Sequence, residues 1–197
     1  MEDMKSLMEE CQKCRKCSIG GKKIGGVHLS NVFSNMNTSA RIMVVGQNPG
    51  RDEVEQGEPF IGKSGQFWNQ AVKDVVGLDR IDFYIANMVR CFSPENRKPT
   101  QKEMDNCRDF LDREIAILKP ELLIALGAPA MKQLTGLGGI MKHRGEVIFS
   151  PRYGANVFVI PHPSPYNTAS AEGKAAFLAD LRKLKEHLDA ASVSSDV

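Results

Sequence analysis

Apolar positions fall into two kinds of run along the chain. Short blocks at 42–45, 83–89, 122–126 and 156–160 are apolar almost throughout and rich in β-branched residues. Strands buried on both faces have this pattern. The run at 83–89 is broken by Tyr84 and Asn87, and an Asn this near the end of a buried strand needs partners. Between the blocks the period changes to helical. Phe67, Ala71, Val72 and Val75 share a face over 66–76, and Phe177, Leu181, Leu184 and Leu188 form a stripe over 171–188. Thr100 with Glu103 predicts a capping box that opens a helix reaching about Leu118, where Pro120 stops it. A shorter helix is predicted at 128–135, ended by Gly136-Leu137-Gly138-Gly139, and another at 1–10. Residues 147–149 read as a strand beside the main sheet, 18–39 as a loop, and 190–197 as a disordered tail.

Strand and helix alternate four times. This order predicts an α/β fold, a three-layer α/β/α sandwich around a central four-stranded parallel sheet, in one domain spanning 1–189. Three loops, 46–65, 87–99 and 161–168, then meet at the carboxyl edge of the sheet, where α/β proteins bind ligands. The polar residues Gln47, Asn48, Asn87 and His162 stand on those loops or strand ends. Their convergence predicts a site there.

The 197 residues are ample for a buried core, and the net charge is only +2. Any binding of nucleic acid must therefore come from local patches, not from a bulk field. No apolar run approaches the ~20 residues of a membrane span, and no signal-peptide pattern opens the chain. The expected location is the cytoplasm, associated with the nucleoid. Of five cysteines, Cys11, Cys14, Cys17, Cys91 and Cys107, the first three, at a spacing of three in a polar segment, look like metal ligands in a reducing compartment, and Cys91 and Cys107 can join Cys14 and Cys17. Four thiolates suit zinc or an iron–sulfur cluster, and spacing alone does not choose between them. Cys11 either replaces Cys14 or stays a free thiol.

Taken together, these pieces resemble the family 4, iron–sulfur uracil-DNA glycosylases. The resemblance is carried by Cys14-x-x-Cys17, then Gly46-Gln47-Asn48-Pro49-Gly50, Glu53, and Gly57-x-Pro59-Phe60-Ile61-Gly62-x-Ser64-Gly65. Asn87-x-x-x-Cys91, Asn96-Arg97-x-Pro99, Cys107 and His162-Pro163-Ser164 follow in family order. It implies a 4Fe–4S cluster on Cys14, Cys17, Cys91 and Cys107. It also implies hydrolysis of the N-glycosidic bond of a flipped-out uracil, in single- or double-stranded DNA, as the opening step of base-excision repair. The implied protein is a monomer, with a sliding clamp as a candidate partner. The first motif departs from the family's usual G-E-A-P-G: Gln47 and Asn48 replace Glu and Ala. Asn48 falls where family 1 enzymes carry a water-activating Asp.

The chemistry assigns each residue a role. Phe60 offers a face for stacking uracil. The Asn87 amide pairs with the uracil edge and refuses cytosine. His162, between two prolines, donates to uracil O2 as charge builds there. Asn48, with Gln47 beside it at the sugar, orients the water, since an amide has no useful pKa as a base. Backbone amides of the turn at Gly46 add donors. Glu53 matches a family position that crowds the C5 face; as a bare residue it reads as a solvated loop carboxylate. Ser64 and Ser164 bind phosphates or cap helices, and Tyr166 wedges into the minor groove. Arg90, Arg97, Lys98, Lys142, His143 and Arg144 are candidate phosphate contacts. Two other readings stand beside this one: a non-catalytic binder of uracil or damaged DNA, motivated by Gln47-Asn48, and a zinc hydrolase acting on a small nucleoside.

Overall fold

The computed structural model describes residues 3–21, 23–24, 27–28 and 31–194, without the side chains of 23, 24, 27, 28, 96, 193 and 194. Parts of the predicted 1–10 helix, 18–39 loop and 190–197 tail lie outside the described residues.

Helix α1 (Met4–Gln12) is capped by Asp3, whose carboxylate accepts from the Ser6 N–H at 2.8 Å. Two short strands, β1 (Lys23–Ile24) and β2 (Val27–His28), pair antiparallel inside the segment read as loop. Then come β3 (Ile42–Gly46), α2 (Arg51–Gln56), α3 (Lys63–Val75), β4 (Phe83–Asn87) and α4 (Gln101–Leu118). The predicted capping box opens α4: Thr100 accepts from the Glu103 N–H at 3.3 Å, and Glu103 accepts from the Thr100 N–H at 2.7 Å. The chain continues through β5 (Leu122–Leu126), α5 (Ala128–Thr135), α6 (Ile140–His143), β6 (Val147–Ser150), β7 (Ala155–Ile160) and α7 (Pro165–Thr168). It closes with α8 (Ala171–Ser194), which runs past the predicted end near Leu188, so the first part of the expected tail is helical.

The main sheet has five strands in the order β4-β3-β5-β7-β6. Its first four are parallel, as predicted, and β6 adds an antiparallel edge through Val147↔Phe158 and Ser150↔Ala155. Alternate side chains leave the sheet on opposite faces. Met43, Val45, Tyr84, Ala86, Leu123 and Ala125 meet α1, α4 and α5 on one side. Val44, Phe83, Ile85, Leu122 and Ile124 meet α3 and α8 on the other, where Trp68 and Phe177 pack edge to face. These are the three layers of the sandwich.

Connections leave β3 toward β4 on one side and β5 toward β7 on the other. The direction of winding therefore reverses between β3 and β5, which opens a crevice beyond their carboxyl ends. Register places Gly46 opposite Asn87 at that edge.

One candidate phosphate contact is corrected by the core. Arg90 is 1% exposed, and its guanidinium makes a forked pair with the equally buried Glu114. It also donates to the Phe33 carbonyl, and the Tyr84 hydroxyl donates to Glu114 at 2.7 Å. A guanidinium so enclosed holds α4 to β4 and cannot reach DNA.

Candidate base pocket at the carboxyl edge

The crevice holds a cavity of ≈ 340 Å³. Behind its lining residues Asn87 and Phe60 lies Gly46, at the end of β3, and that residue has to be glycine. A Cβ there would stand 2.4 Å from Asn87 Oδ1 and 2.9 Å from two ring carbons of Phe60. The bare backbone thus lets an amide and an aromatic ring approach each other over the end of β3. Asn87 is 2% exposed, and its Nδ2 has no hydrogen-bond partner among the described residues. Buried donors are nearly always paired, so this one, alone among the unpaired donors in lining the cavity, is open to an acceptor from outside the described residues.

Gln47 and Asn48 line the cavity on the turn that follows β3. The Asn48 amide nitrogen donates to the Pro49 carbonyl at 3.2 Å, which fixes the amide plane and turns its oxygen to accept. His162, at the exit of β7, lines the opposite wall. Burial lowers its pKa below the ordinary 6.5, so at neutral pH it is an uncharged imidazole with one N–H to give. Its carbonyl is held by the Asn167 amide at 2.7 Å. Ser64 lines the cavity at the start of α3.

Phe60 sits in a left-handed backbone conformation, φ 60°, which non-glycine residues adopt at a cost of about 1–3 kcal/mol. The loop around it is held from both polarities. Glu53 is buried, not solvated: its carboxylate accepts from the Gly50 N–H at 2.5 Å, and the backbone N–H groups of Phe60, Ile61 and Gly62 lie close enough to favour its charge. Burial raises its pKa and those four donors oppose the rise. On the carbonyl side, Arg80 donates to Pro59 O at 2.6 Å and to Phe60 O at 3.5 Å, and Asn69 donates to Phe60 O at 3.4 Å. Gly65 permits this, because a Cβ there would lie 2.2 Å from the Phe60 carbonyl oxygen. Arg80 has no local sequence signal; only the fold brings it to a loop twenty residues away.

The rim adds Arg51, Asp52, Lys63, Arg97 and Lys98, of which the sequence reading singled out the last two. Arg97 is held by Glu103 at 2.7 Å and 2.9 Å, an exchange that keeps the Glu103 carboxyl at about 2. Ser164 and Tyr166 stand outside the cavity lining. Ser164 opens α7, and Tyr166 is 96% exposed. The basic cluster of the α6 turn is largely occupied. Arg144 forks onto the buried Asp180, and His143 meets Glu146 at 2.8 Å, which leaves Lys142 as its exposed cation.

The cysteines gather on the far side of β4. Cys107 packs with Cys17, Cys91, Ile19 and Val89. Burial raises Cys17, Cys91 (to about 12) and Cys107, and the neighbouring sulfurs, including Cys14, add to each rise. Thiols that repel one another's ionisation this way are relieved by a bound cation. Four sulfur donors in one neighbourhood therefore fit a thiolate-held centre by donor type and placement. Among the described residues, however, no three such side chains stand at ligating distance. Cys11 belongs to the core between α1 and the sheet, and burial pushes it up to about 12.

The chain is similar to known proteins over most of its length. The profile of the uracil DNA glycosylase superfamily matches residues 33–185. The type-4 uracil-DNA glycosylase of Saccharolobus solfataricus is 30% identical, aligned over 100% of this chain and 91% of its own length. The type-4 enzyme of Archaeoglobus fulgidus is 34% identical over 83% of each chain, and that of Thermotoga maritima 33% identical over 95% of each.

Proposed function

The chain belongs to the uracil DNA glycosylase superfamily, with the type-4 enzymes as its relatives, and from that premise we propose that it cleaves uracil from DNA. The N-glycosidic bond of a flipped-out uracil is hydrolysed and an abasic site is left. The observation that carries the reading is the unpaired Asn87 amide beside the Phe60 ring, facing His162 across a cavity.

Uracil stacks on Phe60 and pairs with Asn87. The amide donates to O4 and accepts from N3–H. Cytosine presents a donor where uracil has O4 and leaves the amide nitrogen unpaired, so it is refused. As the bond to the sugar lengthens, negative charge grows on the base, and the neutral His162 N–H stabilises it at O2. Neither Gln47 nor Asn48 takes a proton. Asn48 holds a water by its free oxygen until the oxocarbenium sugar captures it. The Glu53 carboxylate keeps the loop of Phe60 in place, a role its four backbone donors support better than direct contact with the base. Arg51, Lys63, Arg97 and Lys98 offer charge to the flanking phosphates, and Tyr166 fills the gap left by the extruded base.

Cys14, Cys17, Cys91 and Cys107 would hold a 4Fe–4S cluster. When bound, it supplies cross-links among the segment after α1, the end of β4, and α4. The same reading takes the protein as a monomer working at the nucleoid.

The test is a uracil-containing oligonucleotide incubated with the protein and then treated with alkali. Strand breaks at uracil and visible absorbance from bound iron are expected. Binding without breaks would instead support a non-catalytic reader, the reading that Gln47 and Asn48 motivate. A colourless, zinc-loaded protein that cleaves free nucleosides would overturn both.

A further inference from the structure

Arg80 lies in the turn between α3 and β4, outside the lining of the base cavity. Its side chain is 25% exposed, and its guanidinium reaches the Pro59 carbonyl at 2.6 Å and the Phe60 carbonyl at 3.5 Å. Glu58 stands 3.8 Å from it and the buried Glu53 lies within electrostatic reach. The two sides of the Pro59–Phe60–Ile61 turn are thus claimed by opposite charges. Glu53 takes the N–H groups, and Arg80 takes the carbonyls. An unconstrained phenylalanine leaves φ 60° for the extended or right-handed region, and its ring would then leave Gly46.

We propose that Arg80 is a positioning residue for base recognition: by gripping the Pro59 and Phe60 carbonyls it keeps Phe60 left-handed and its ring under the base. The proposal rests on the reading of the cavity as a uracil pocket. Planarity matters, because a guanidinium can serve two carbonyls in a fixed fork, whereas a lysine ammonium serves one without fixing direction. Arg80 acts only through Phe60, so its removal should look like a weakened removal of the ring. It should raise KM for uracil-DNA and the inhibition constant of free uracil, and leave kcat nearly unchanged.

The experiment compares wild type, Arg80→Met, Arg80→Lys, Phe60→Ala and the double variant Phe60→Ala/Arg80→Met. Steady-state cleavage, inhibition by free uracil and thermal unfolding are measured on each. Wild-type cleavage is the control on the uracil reading; without it that reading fails, whatever Arg80 does. With it, the expected result is a roughly tenfold rise in KM and in the uracil inhibition constant for Arg80→Met, with kcat within about threefold. Arg80→Lys should recover part of the loss. In the Phe60→Ala background the Arg80 substitution should add less than about twofold. The proposal is overturned if Arg80→Met binds uracil as the wild type does. It is equally overturned if the loss is as large in the Phe60→Ala background. Should Arg80→Met fail to fold, Arg80→Lys decides: a folded Lys variant with wild-type uracil inhibition refutes the grip.

Discussion

Truncating Asn87 to alanine should separate stability from function. The side chain is buried at the end of β4, with its amide nitrogen unpaired. An orphaned buried donor costs about 1–3 kcal/mol. Alanine removes that cost together with the amide. Little packing is lost, because the amide borders a cavity and not a filled core. Folding stability should therefore stay within about 1 kcal/mol of wild type, or rise. Cleavage should behave oppositely. Two hydrogen bonds to the uracil edge, each worth about 1.5–2 kcal/mol as negative charge develops on the base, amount to roughly 3–4 kcal/mol. At 1.36 kcal/mol per tenfold, kcat/KM should fall by roughly 10²–10³. The assay pairs urea unfolding, followed by far-ultraviolet circular dichroism, with alkaline cleavage of a labelled uracil oligonucleotide. The reasoning is refuted if the variant loses more than about 2 kcal/mol of stability and its activity tracks the folded fraction. Asn87 would then be a strut that closes β4, and not a reader of the base.

Gly46→Ala should do more damage than its size suggests. The added Cβ meets Asn87 Oδ1 and the Phe60 ring inside van der Waals distance, so cleavage should fall at least a hundredfold, with about 1–3 kcal/mol lost to overpacking. Retention of near wild-type kcat/KM would mean that Asn87 and Phe60 yield to the added methyl. His162 carries a pH signature. Its folded pKa lies below the unfolded 6.5, so the unfolded state binds the extra proton first. Its share of stability is whole above about pH 6.5 and falls as acid protonates the unfolded chain. His162→Gln should flatten the decline in urea midpoint between pH 7 and pH 5; an unchanged slope would assign the decline to other groups. Tyr166→Ala, at an exposed side chain, should leave stability within about 0.5 kcal/mol and slow cleavage of duplex more than of single-stranded uracil-DNA. Equal slowing on both substrates would remove the wedge from the account.

How far the fold can be read from the chain depends on the range of the forces involved. The buried strands announce themselves because four or five apolar residues in a row have no other home. The Thr100–Glu103 box announces α4 because both of its bonds are local. The antiparallel edge strand β6 is weaker, since its outer side chains Val147 and Phe149 stay exposed. Helix α2 was hidden inside what reads as a glycine-rich loop. Its capping carboxylate, Glu53, looks like any polar loop residue until the chain folds back and delivers the amides of Phe60, Ile61 and Gly62 to it. Within the site, Gln47, Asn48, Asn87 and His162 meet because each stands at or just beyond the end of a parallel strand, whereas Phe60 and Ser64 are brought in by the longer loop after α2 and the start of α3.

The charged residues mark the limit of such reading. Arg90 and Arg97 lie in the same polar loop, and nothing local distinguishes them. The distinction comes from Glu114, far along α4, which is buried against β4 and would be an unpaired charge without a cation beside it. Arg90, seven residues nearer the strand, is drawn inside to meet it, while Arg97 remains on the rim with Glu103, the acid that already caps the helix. Arg80 is the third case: beside the exposed Glu58, its hydrogen-bond partners are backbone carbonyls, which carry no side-chain signature at all. A cation whose partner is a carbonyl of a strained turn is therefore invisible to motif reading, yet it is such turns that present a ring to a ligand. Residues of this kind are better sought by asking what holds each left-handed, non-glycine position at a pocket wall than by asking which side chains face the pocket.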